Sequence, residues 1–357
     1  MTNSVKTLSV CLPNESYDIL IGRGLLAVAD EHLALGRRVL ILTDDGVPAV
    51  YGEAVATAVT RAGGTPTLYV IRQGEESKSL TTAEGVLARM LREGFTRTDC
   101  LVAVGGGIVG DLGGLVASLY MRGIDFYNLP TTVLSQVDSS IGGKTAVNLG
   151  GIKNAVGAFY QPKRVLIDLD TQRTLPKRQV SQGLAEALKM SVTHSASLFA
   201  LFESGDPLAH MEQIVYESLD IKRRVVEADE KEMGLRRVLN FGHTVGHGIE
   251  SRFGIDADKS AEENTREAGF YHGECVALGM LPMCEGGLRE RLKKVLKTLA
   301  LPTEVSLAAA EITAAMRHDK KATDTGVKAV LVEEVGSFVM KELSFAQLEA
   351  RINATFG

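Results

Sequence analysis

The sequence predicts an α/β domain over residues 1–175, followed by an all-α domain over residues 176–357. Short β-rich runs alternate with helical stretches in the first half, and after Leu175–Pro176 the pattern becomes helical almost throughout. Such alternation is typical of a mostly parallel sheet covered by helices. A chain of 357 residues fits two domains of ordinary size. The cleft between the two domains is where a ligand site is expected.

The elements of the first half follow from β-rich runs bounded by turn residues. Pro48 lies near the start of the first helix and Gly63–Gly64 lie past its end, which are typical helix boundary signals. Strands are predicted at 37–45, 66–74, 100–107, 125–132 and 164–170, and helices at 46–64, 81–94 and 109–121.

The second half is predicted to be helical almost throughout. The segment 254–269 is polar and charged without an apolar face, and it predicts a long exposed loop. Helices are predicted at 179–194, 207–230, 240–253, 272–296 and 307–319.

Composition excludes several classes of function. The formal net charge is −5, which argues against nonspecific binding of nucleic acid or of an anionic membrane. No apolar run approaches the length of about 18 residues that a membrane-spanning helix needs, and the first residues lack a secretory signal. The four cysteines form no C-x-x-C pair. We therefore expect a cytoplasmic protein with reduced thiols.

A glycine turn follows the predicted strand at 100–107 and opens a helix. Gly105, Gly107 and Gly110 satisfy the spacing G-x-G-x-x-G, which lets a backbone approach phosphate oxygens at a helix N-terminus. Tight packing of the strand on the helix is the alternative explanation. Asp44, at the end of an earlier strand, could contact a ribose hydroxyl. The polar turn at 72–80 is either a further ligand contact or a solvated loop.

The segment 129–162 is rich in glycine and sets Lys144 and Lys153 among apolar residues. Burying a lysine is costly unless it meets an anion, so we expect a cradle for phosphate or carboxylate rather than lysines that reach water. The run 141–145 resembles the end of a P-loop, but Asp138 stands where the motif requires glycine. ATP hydrolysis is therefore disfavoured.

The histidines of the second half indicate a possible metal site. His243 and His247 are four residues apart and share one helix face, but Thr244 excludes the H-E-x-x-H motif. Glu186 lies in an apolar helix and needs a partner, which is either Lys189 or a divalent cation. Two imidazoles and one carboxylate form a common catalytic zinc set. The residues alone leave open which histidines take part.

These motifs together resemble the dehydroquinate synthases of the sugar-phosphate cyclase family. The resemblance covers essentially the whole chain in order, and its most specific parts are the Lys144 segment and the segment around His243. The motifs that carry it are "GGGIVGDLGG", "LPTTVLSQVDSSIGGKTAVNLGGIKNAVGAFYQP", "GLAEALKM", "RRVLNFGHTVGHGIE", "HGECVALGM" and "DKK".

The resemblance implies a dehydroquinate synthase-like fold, with a Rossmann-like N-terminal domain, an α-helical C-terminal domain and NAD between them. It implies a divalent metal, Zn²⁺ or Co²⁺, held by Glu186, His243 and His272. His247 then matches a residue near the substrate phosphate and is not a ligand. A homodimer is expected, because Arg122 matches an arginine that reaches across a dimer interface.

The other site residues are also implied by matching positions. Lys222 and Arg236 would hold a carboxylate, and the choice between Lys320 and Lys321 at the phosphate stays open. The residues expected in substrate binding and catalysis are Arg122, Asp138, Lys144, Asn154, Lys189, Lys222, Arg236, Asn240, His247 and Lys320. Those expected to bind the nucleotide are Asp44, Gln73, Gly74, Glu75, Glu76, Ser77, Lys78, Gly107, Ile108, Val109, Gly110, Asp111, Thr131, Thr132, Lys144, Lys153, Thr171, Gln172, Arg173 and Thr174.

The implied reaction converts 3-deoxy-D-arabino-heptulosonate 7-phosphate to 3-dehydroquinate and phosphate, with NAD⁺ reduced and regenerated in each turnover. Another cyclase, making 2-epi-5-epi-valiolone or 2-deoxy-scyllo-inosose, is one alternative. A metal-dependent polyol dehydrogenase of the same fold and a non-enzymatic NAD-binding regulator are the others. Two departures from the family are the long 254–269 segment and Gly46, where relatives often have asparagine.

Overall fold

A computed structural model describes residues 5–253, 269–316 and 326–357. The chain divides into two compact units, Met1–Pro176 and Lys177–Gly357. Two predictions fall outside the described residues: Lys320 with its neighbour Lys321, and the loop expected at 254–269 apart from its last residue.

The first unit contains nine strands among its described residues: β1 Lys6–Cys11, β2 Ser16–Gly22, β3 Arg38–Asp44, β4 Thr65–Ile71, β5 Cys100–Gly105, β6 Asp125–Pro130, β7 Lys144–Leu149, β8 Ile152–Phe159 and β9 Arg164–Asp168. Seven of them form a sheet with the order β1-β2-β9-β6-β5-β3-β4, and β7 and β8 form a separate hairpin. In the sheet, β1 and β2 pair antiparallel, and the remaining neighbours pair parallel.

The helices of this unit are α1 Ala29–His32, α2 Ala49–Arg61, α3 Leu80–Arg92 and α4 Gly107–Leu119. Every residue of β5 is buried, as a central strand of a parallel sheet requires when helices cover both faces. The parallel strands β3, β5, β6 and β9 end at the same edge of the sheet, where α/β proteins place their ligands. The predicted parallel α/β arrangement is confirmed.

The glycine-rich segment 129–162 contains regular secondary structure. A π-helical turn spans Ser135–Ser139, and an antiparallel hairpin follows from β7 to β8. The hairpin packs on α4 at Gly114, where an added Cβ would lie 2.3 Å from Thr145 Cγ2. The small residues of this segment therefore serve close packing as well as turns.

The second unit is mainly helical. Its helices are α5 Lys177–His194, α6 Ala196–Glu203, α7 Met211–Ala228, α8 His243–Phe253, α9 His272–Met280, α10 Gly286–Thr298, α11 Ala309–Met316 and α12 Phe345–Phe356. The helical class is confirmed, but this unit also has an antiparallel hairpin, β10 Gly326–Leu331 with β11 Val339–Ser344, which the sequence did not predict.

The single helix expected at 272–296 is two helices. A 3-10 turn at Leu281–Met283 separates α9 from α10 and contains Pro282. Proline has no N–H to donate and clashes with the preceding turn, so it interrupts an α-helix. The prediction was wrong on this point because the apolar pattern continues through the break.

Two glycines allow three helices of the second unit to approach closely. A Cβ on Gly273 of α9 would lie 1.9 Å from the Gln182 carbonyl oxygen of α5. A Cβ on Gly279 of α9 would lie 2.0 Å from the carbonyl oxygen of Gly242, which directly precedes α8. No side chain fits at either position, so α9 packs directly on α5 and on the start of α8. This packing brings Glu186, His243 and His272 together.

Candidate functional sites in the two units

The second unit holds a carboxylate facing two imidazoles. Glu186 Oε1 lies 3.7 Å from His243 Nε2 and 3.6 Å from His272 Nε2. A tetrahedral cation with bonds near 2.1 Å holds its ligand atoms about 3.4 Å apart. The three side chains therefore fit one divalent ion, and their donor atoms all lie within 4.8 Å of one another.

Lys189 also contacts Glu186. Its Nζ lies 2.5 Å from Glu186 Oε2, and both side chains are only 2% exposed. The two partners that the sequence offered for Glu186 are thus not exclusive, since one carboxylate oxygen meets the lysine and the other faces the imidazoles. A buried carboxylate needs such compensation to stay charged.

His247 lies beside this cluster without belonging to it. Its ring centroid is 5.4 Å from that of His243 and 6.0 Å from that of His272. A second group of possible ligands, His247, Glu250 and His272, shares His272 with the first. Glu250 Oε2 lies 2.9 Å from His272 Nδ1. Sequence reasoning missed Glu250, although it follows His243 by seven residues and so shares its helix face.

Two further buried cations, besides Lys189, lie in the same unit. Lys222 of α7 is 6% exposed, and Arg236 is 2% exposed in the 3-10 helix Leu235–Asn240. The Arg236 guanidinium donates to the Glu230 carbonyl oxygen, and Asn240 Nδ2 donates to Glu232 Oε1 at 2.9 Å. These hydrogen bonds fix the Arg236 and Asn240 side chains against residues 230–232, in the segment that precedes α8.

In the first unit, the glycine turn has a clear packing role. A Cβ on Gly105 would lie 2.6 Å from Val109 Cγ2, and one on Gly110 would lie 3.2 Å from Asn128 Nδ2. Tight packing of the strand and the helix therefore accounts for glycine at these two positions. Gly107, the first residue of α4, belongs to the turn whose N–H groups have no partner within the helix. Nucleotide binding there, through Gly107, Ile108, Val109, Gly110 and Asp111, stays a prediction.

Lys78 organises a polar network in this unit. The side chain is buried, and its Nζ lies 2.5 Å from both Asp111 Oδ2 and Asn154 Oδ1. Asn148 Nδ2 donates to Glu75 Oε1 at 2.8 Å, and Asn148 Oδ1 accepts from the Asn154 N–H at 2.9 Å. This network joins the β7–β8 hairpin to the turn at Glu75–Ser77. Sequence reasoning missed Asn148, whose only signal was its place in the unusual segment.

Lys144 and Lys153 lie on the hairpin and are exposed, as is Asn154. The hairpin leaves both lysines on an open face rather than among the apolar residues that flank them in sequence. Asn154 has a left-handed backbone with φ of 52°, a conformation that asparagine tolerates better than most residues. Binding of an anion by the two lysines therefore stays a prediction without support from burial.

Asp44 closes the turn after β3. Its Oδ1 accepts from the N–H groups of Gly46 at 2.9 Å and Val47 at 3.1 Å. Burial raises the pKa of Asp44, and these two hydrogen bonds oppose the rise. A Cβ on Gly46 would lie 2.3 Å from Gln73 Cδ. The Gln73 carboxamide thus fills the space that a side chain at position 46 would need.

Gln136, another residue that the sequence did not reveal, joins two of the predicted nucleotide segments. Its Nε2 donates to Thr171 Oγ1 at 3.0 Å, and Gln172 Nε2 donates to Gln136 Oε1 at 2.7 Å. Thr171 is buried, whereas Arg173 and Thr174 are exposed. The Thr132 N–H donates to Ser135 Oγ at 3.2 Å. The turn that follows β6 is thereby fixed to the turn that follows β9.

The remaining predicted residues have these positions. Gly74, Glu75, Glu76 and Ser77 form the turn before Lys78, Thr131 follows β6 and is buried, and Asp138 lies half-buried in the π-helical turn. Arg122 is exposed with φ of 68°, directly after Met121 with φ of 49°. Consecutive left-handed residues other than glycine are uncommon and mark a constrained bend.

Within the described ranges, every helix is too short or too polar to cross a bilayer.

The chain matches two sequence families. Residues 68–182 match the description "3-dehydroquinate synthase N-terminal", and residues 183–322 match "3-dehydroquinate synthase C-terminal". The 3-dehydroquinate synthase of Pelotomaculum thermopropionicum is 42% identical over 348 residues, covering 94% of this chain and 93% of the relative. That of Enterococcus faecalis is 39% identical over 367 residues, covering 98% and 99%.

Solved structures share the fold. A 2-epi-5-epi-valiolone synthase from Streptomyces hygroscopicus, with NAD⁺ and Zn²⁺ bound, has a TM-score of 0.82 at 27% identity, covering 97% of this chain and 98% of its own. A 2-deoxy-scyllo-inosose synthase, complexed with carbaglucose-6-phosphate, NAD⁺ and Co²⁺, has a TM-score of 0.83 at 22% identity, covering 98% and 100%. A glycerol dehydrogenase from Schizosaccharomyces pombe reaches 0.62 at 15%, covering 93% and 87%. The last two show the fold alone.

Proposed function

The chain belongs to the 3-dehydroquinate synthase family, and from this premise we propose how its residues carry out the reaction. The enzyme is a phosphate-eliminating cyclase that converts 3-deoxy-D-arabino-heptulosonate 7-phosphate to 3-dehydroquinate and phosphate. NAD⁺ and a divalent cation, zinc or cobalt, are its cofactors. The other cyclases and the polyol dehydrogenases share the fold, but 42% identity over almost the full length of a relative favours the dehydroquinate synthase.

The observation that carries the proposal is the position of Glu186 Oε1, 3.6–3.7 Å from the Nε2 atoms of His243 and His272. We assign these three groups as the residues that would hold the cation, because the spacing of their donor atoms fits one divalent ion. Lys189 contacts the second Glu186 oxygen and so compensates the cost of burying the carboxylate. When bound, the cation lowers the pKa of a coordinated hydroxyl, and NAD⁺ accepts and returns a hydride.

The protein's own contribution is to bind the two anionic ends of the substrate. Lys222 and Arg236 are assigned to the carboxylate, since both are buried cations and a guanidinium can bind a carboxylate through two hydrogen bonds. The phosphate is assigned to Lys144, Asn154, Asn240 and His247, with Lys320 outside the described residues. Fixing both ends orients the carbon chain between them, and such orientation supplies much of the rate enhancement.

The nucleotide is assigned to the edge of the sheet where β3, β5, β6 and β9 end. Gly107 opens α4 and offers backbone N–H groups to a pyrophosphate. Asp44 would accept from a ribose hydroxyl with the oxygen that does not close its own turn. The turn carrying Glu75 and Lys78 and the turn at 171–174 complete this assignment.

A homodimer in the cytoplasm is part of the proposal. Arg122 is exposed in a constrained bend, which suits a side chain presented to a second copy of the chain. Sedimentation of the purified protein tests this part, with the dimer expected for the wild type and for Arg122→Ala, and loss of activity expected only in the variant.

One assay separates the proposed function from its alternatives. The heptulosonate phosphate is supplied with NAD⁺ far below the substrate concentration, and phosphate, dehydroquinate and NADH are measured. Equal amounts of phosphate and dehydroquinate without accumulated NADH are expected. Accumulated NADH would indicate a dehydrogenase, and turnover only of a hexose or heptulose phosphate that lacks a carboxylate would indicate another cyclase.

A further inference from the structure

We propose that Glu250 is a positioning residue for the metal centre. Its carboxylate holds the His272 ring in the tautomer and orientation that present Nε2 to the cation. The inference rests on the metal site of the proposed function and adds to it a residue outside the ligand set. It starts from one contact, between Glu250 Oε2 and His272 Nδ1 at 2.9 Å.

The two ring nitrogens of His272 have different partners. A neutral imidazole carries its proton on one nitrogen and a lone pair on the other. Because Nδ1 faces a carboxylate, the proton belongs there, and the lone pair is left on Nε2. That same Nε2 lies 3.6 Å from Glu186 Oε1, on the side of the proposed cation. The carboxylate thus selects the tautomer that can bind metal.

His272 needs this support more than His243 does. The His272 side chain is 35% exposed, whereas that of His243 is 14% exposed and is held more by packing. His243 Nδ1 lies 3.3 Å from the Phe241 carbonyl oxygen, a weaker acceptor than a carboxylate. The more exposed ligand therefore has the stronger orienting partner.

The fold connects the two ligands through one helix. Helix α8 begins with His243 and carries Glu250 seven residues later, on the same face. One helix therefore supplies one ligand and orients the other, which lies at the first position of α9. A different contact fixes the start of α9 itself, because Arg178 binds the Glu274 carboxylate through two hydrogen bonds of 2.7 Å. The contact of Glu250 therefore orients the His272 ring, whereas the contact of Arg178 positions the start of the helix.

The experiment compares zinc affinity among three variants of the full chain. Glu250→Ala removes the acceptor, and Glu250→Gln keeps an oxygen that can accept from Nδ1. Glu203→Gln is the control, since Glu203 pairs with Arg291 and belongs to neither group of possible ligands. The zinc dissociation constant is measured by competition with a chromogenic chelator. The midpoint of urea unfolding of the metal-free protein is measured alongside.

We expect Glu250→Ala to raise the zinc dissociation constant about 10- to 100-fold, the usual effect of losing such a partner. Glu250→Gln should recover most of the affinity, and Glu203→Gln should match the wild type. A dissociation constant for Glu250→Ala within twofold of wild type would overturn the inference, and so would Glu250→Gln binding as weakly as Glu250→Ala. A lowered unfolding midpoint with unchanged zinc affinity would show a merely structural contact. Wild-type protein that binds no zinc would instead overturn the metal site itself.

Discussion

Each unit contains a lysine 2.5 Å from a carboxylate, and the two pairs have different surroundings. In the first unit, Lys78 contacts Asp111 and also the Asn154 amide oxygen. In the second, Lys189 contacts Glu186, whose other oxygen faces two imidazoles. The first pair has side chains that are 7% and 19% exposed, and both side chains of the second are 2% exposed.

The difference shows that the third partner, rather than the ion pair, decides what such a site can bind. An amide oxygen satisfies Lys78 further and ties it to the β7–β8 hairpin, so this pair orders a turn near the proposed nucleotide. The imidazole nitrogens beside Glu186 can offer lone pairs to a metal ion, so the surroundings of this pair suit a cation. The comparison predicts that neutralising Glu186 removes the bound metal, whereas neutralising Asp111 weakens binding of the nucleotide.

The largest expected effect comes from Glu186→Gln. This change removes a metal ligand, so bound zinc should fall from one per chain to near zero and phosphate release should be lost. Asp111→Asn, the matched change in the first unit, should keep zinc at one per chain and weaken NAD⁺ binding. Metal analysis after dialysis and NAD⁺ titration measure both. Full activity of a verified metal-free Glu186→Gln protein would refute the metal assignment.

Lysine removal tests the burial difference. Lys189→Met leaves the Glu186 carboxylate buried without its cation, so the metal-free protein should lose about 3 to 5 kcal/mol of unfolding free energy. Lys78→Met should cost less, about 1 to 3 kcal/mol, because Asp111 stays partly hydrated. Urea unfolding measures both variants. Added zinc should stabilise Lys189→Met more than it stabilises the wild type, and it should stabilise Lys78→Met only as much as the wild type. Equal losses of unfolding free energy in the two variants would contradict the comparison.

His247→Ala separates metal binding from phosphate binding. If His247 contacts the substrate phosphate, the variant should keep one zinc per chain and release phosphate about 10- to 100-fold more slowly, because a hydrogen bond to a charged group is worth about 1.5 to 3 kcal/mol. Asn154→Ala, the counterpart in the first unit, should also keep its zinc. Loss of zinc from His247→Ala would make His247 a ligand.

Asn148→Ala tests the network of the first unit. The variant loses the hydrogen bonds to Glu75 and to the Asn154 N–H, each worth about 1 kcal/mol. We expect NAD⁺ to bind about 5- to 30-fold more weakly while zinc affinity is unchanged. Asn148→Asp should bind NAD⁺ more weakly still, because it places a second carboxylate against Glu75. Unchanged NAD⁺ affinity in both variants would show that the β7–β8 hairpin does not contribute to nucleotide binding.

The smallest expected effect is a difference between the two units in how their stability depends on pH. Burial lowers the pKa of His194, in the second unit, to about 4 from 6.5, with Arg224 adding to the effect. Burial raises the pKa of the Cys100 thiol, in the first unit, to about 12 from 9.0, against the opposing charge of Arg37. Between pH 6.5 and 4, His194 therefore binds a proton in the unfolded chain but not in the folded protein. Stability is lost as pH falls through this range. The Cys100 contribution is lost as pH rises above 9.

His194→Phe keeps an aromatic ring against Phe338 and removes the titrating group. Its urea midpoint should fall less than that of wild type between pH 6.5 and 4, while the two proteins should respond alike above pH 9. Identical acid profiles would show that the second unit does not depend on a neutral His194.

The sequence predicted five of the seven strands of the sheet, because strands such as β5 are continuous apolar runs between turn residues. It did not predict β1 and β2. The hairpin β10–β11 was not predicted, since half of its residues are exposed and its pattern is short. The pair of Glu186 and Lys189 could be seen from a spacing of three residues, whereas Lys78 and Asp111 are 33 residues apart. Contacts between residues on one helix can be predicted from their spacing in the sequence, whereas contacts between different elements cannot.

The histidines illustrate the same limit. Spacing placed His243 and His247 on one face but could not choose between them, and only the resemblance to a family selected His243 with His272. The choice depends on α9 packing against α5 and α8 at Gly273 and Gly279, where the absence of a side chain is the deciding feature. A glycine in a helix has many possible reasons, so the sequence alone did not reveal this one.

The central claim is that Glu186, His243 and His272 hold one divalent cation. The most direct measurement is a crystal structure of the zinc-loaded protein, with anomalous difference maps collected on both sides of the zinc absorption edge. The account predicts one anomalous peak per chain, bound by a Glu186 oxygen and by Nε2 of both His243 and His272. A peak bound instead by His247 and Glu250, or no peak in a crystal of active protein, would contradict it.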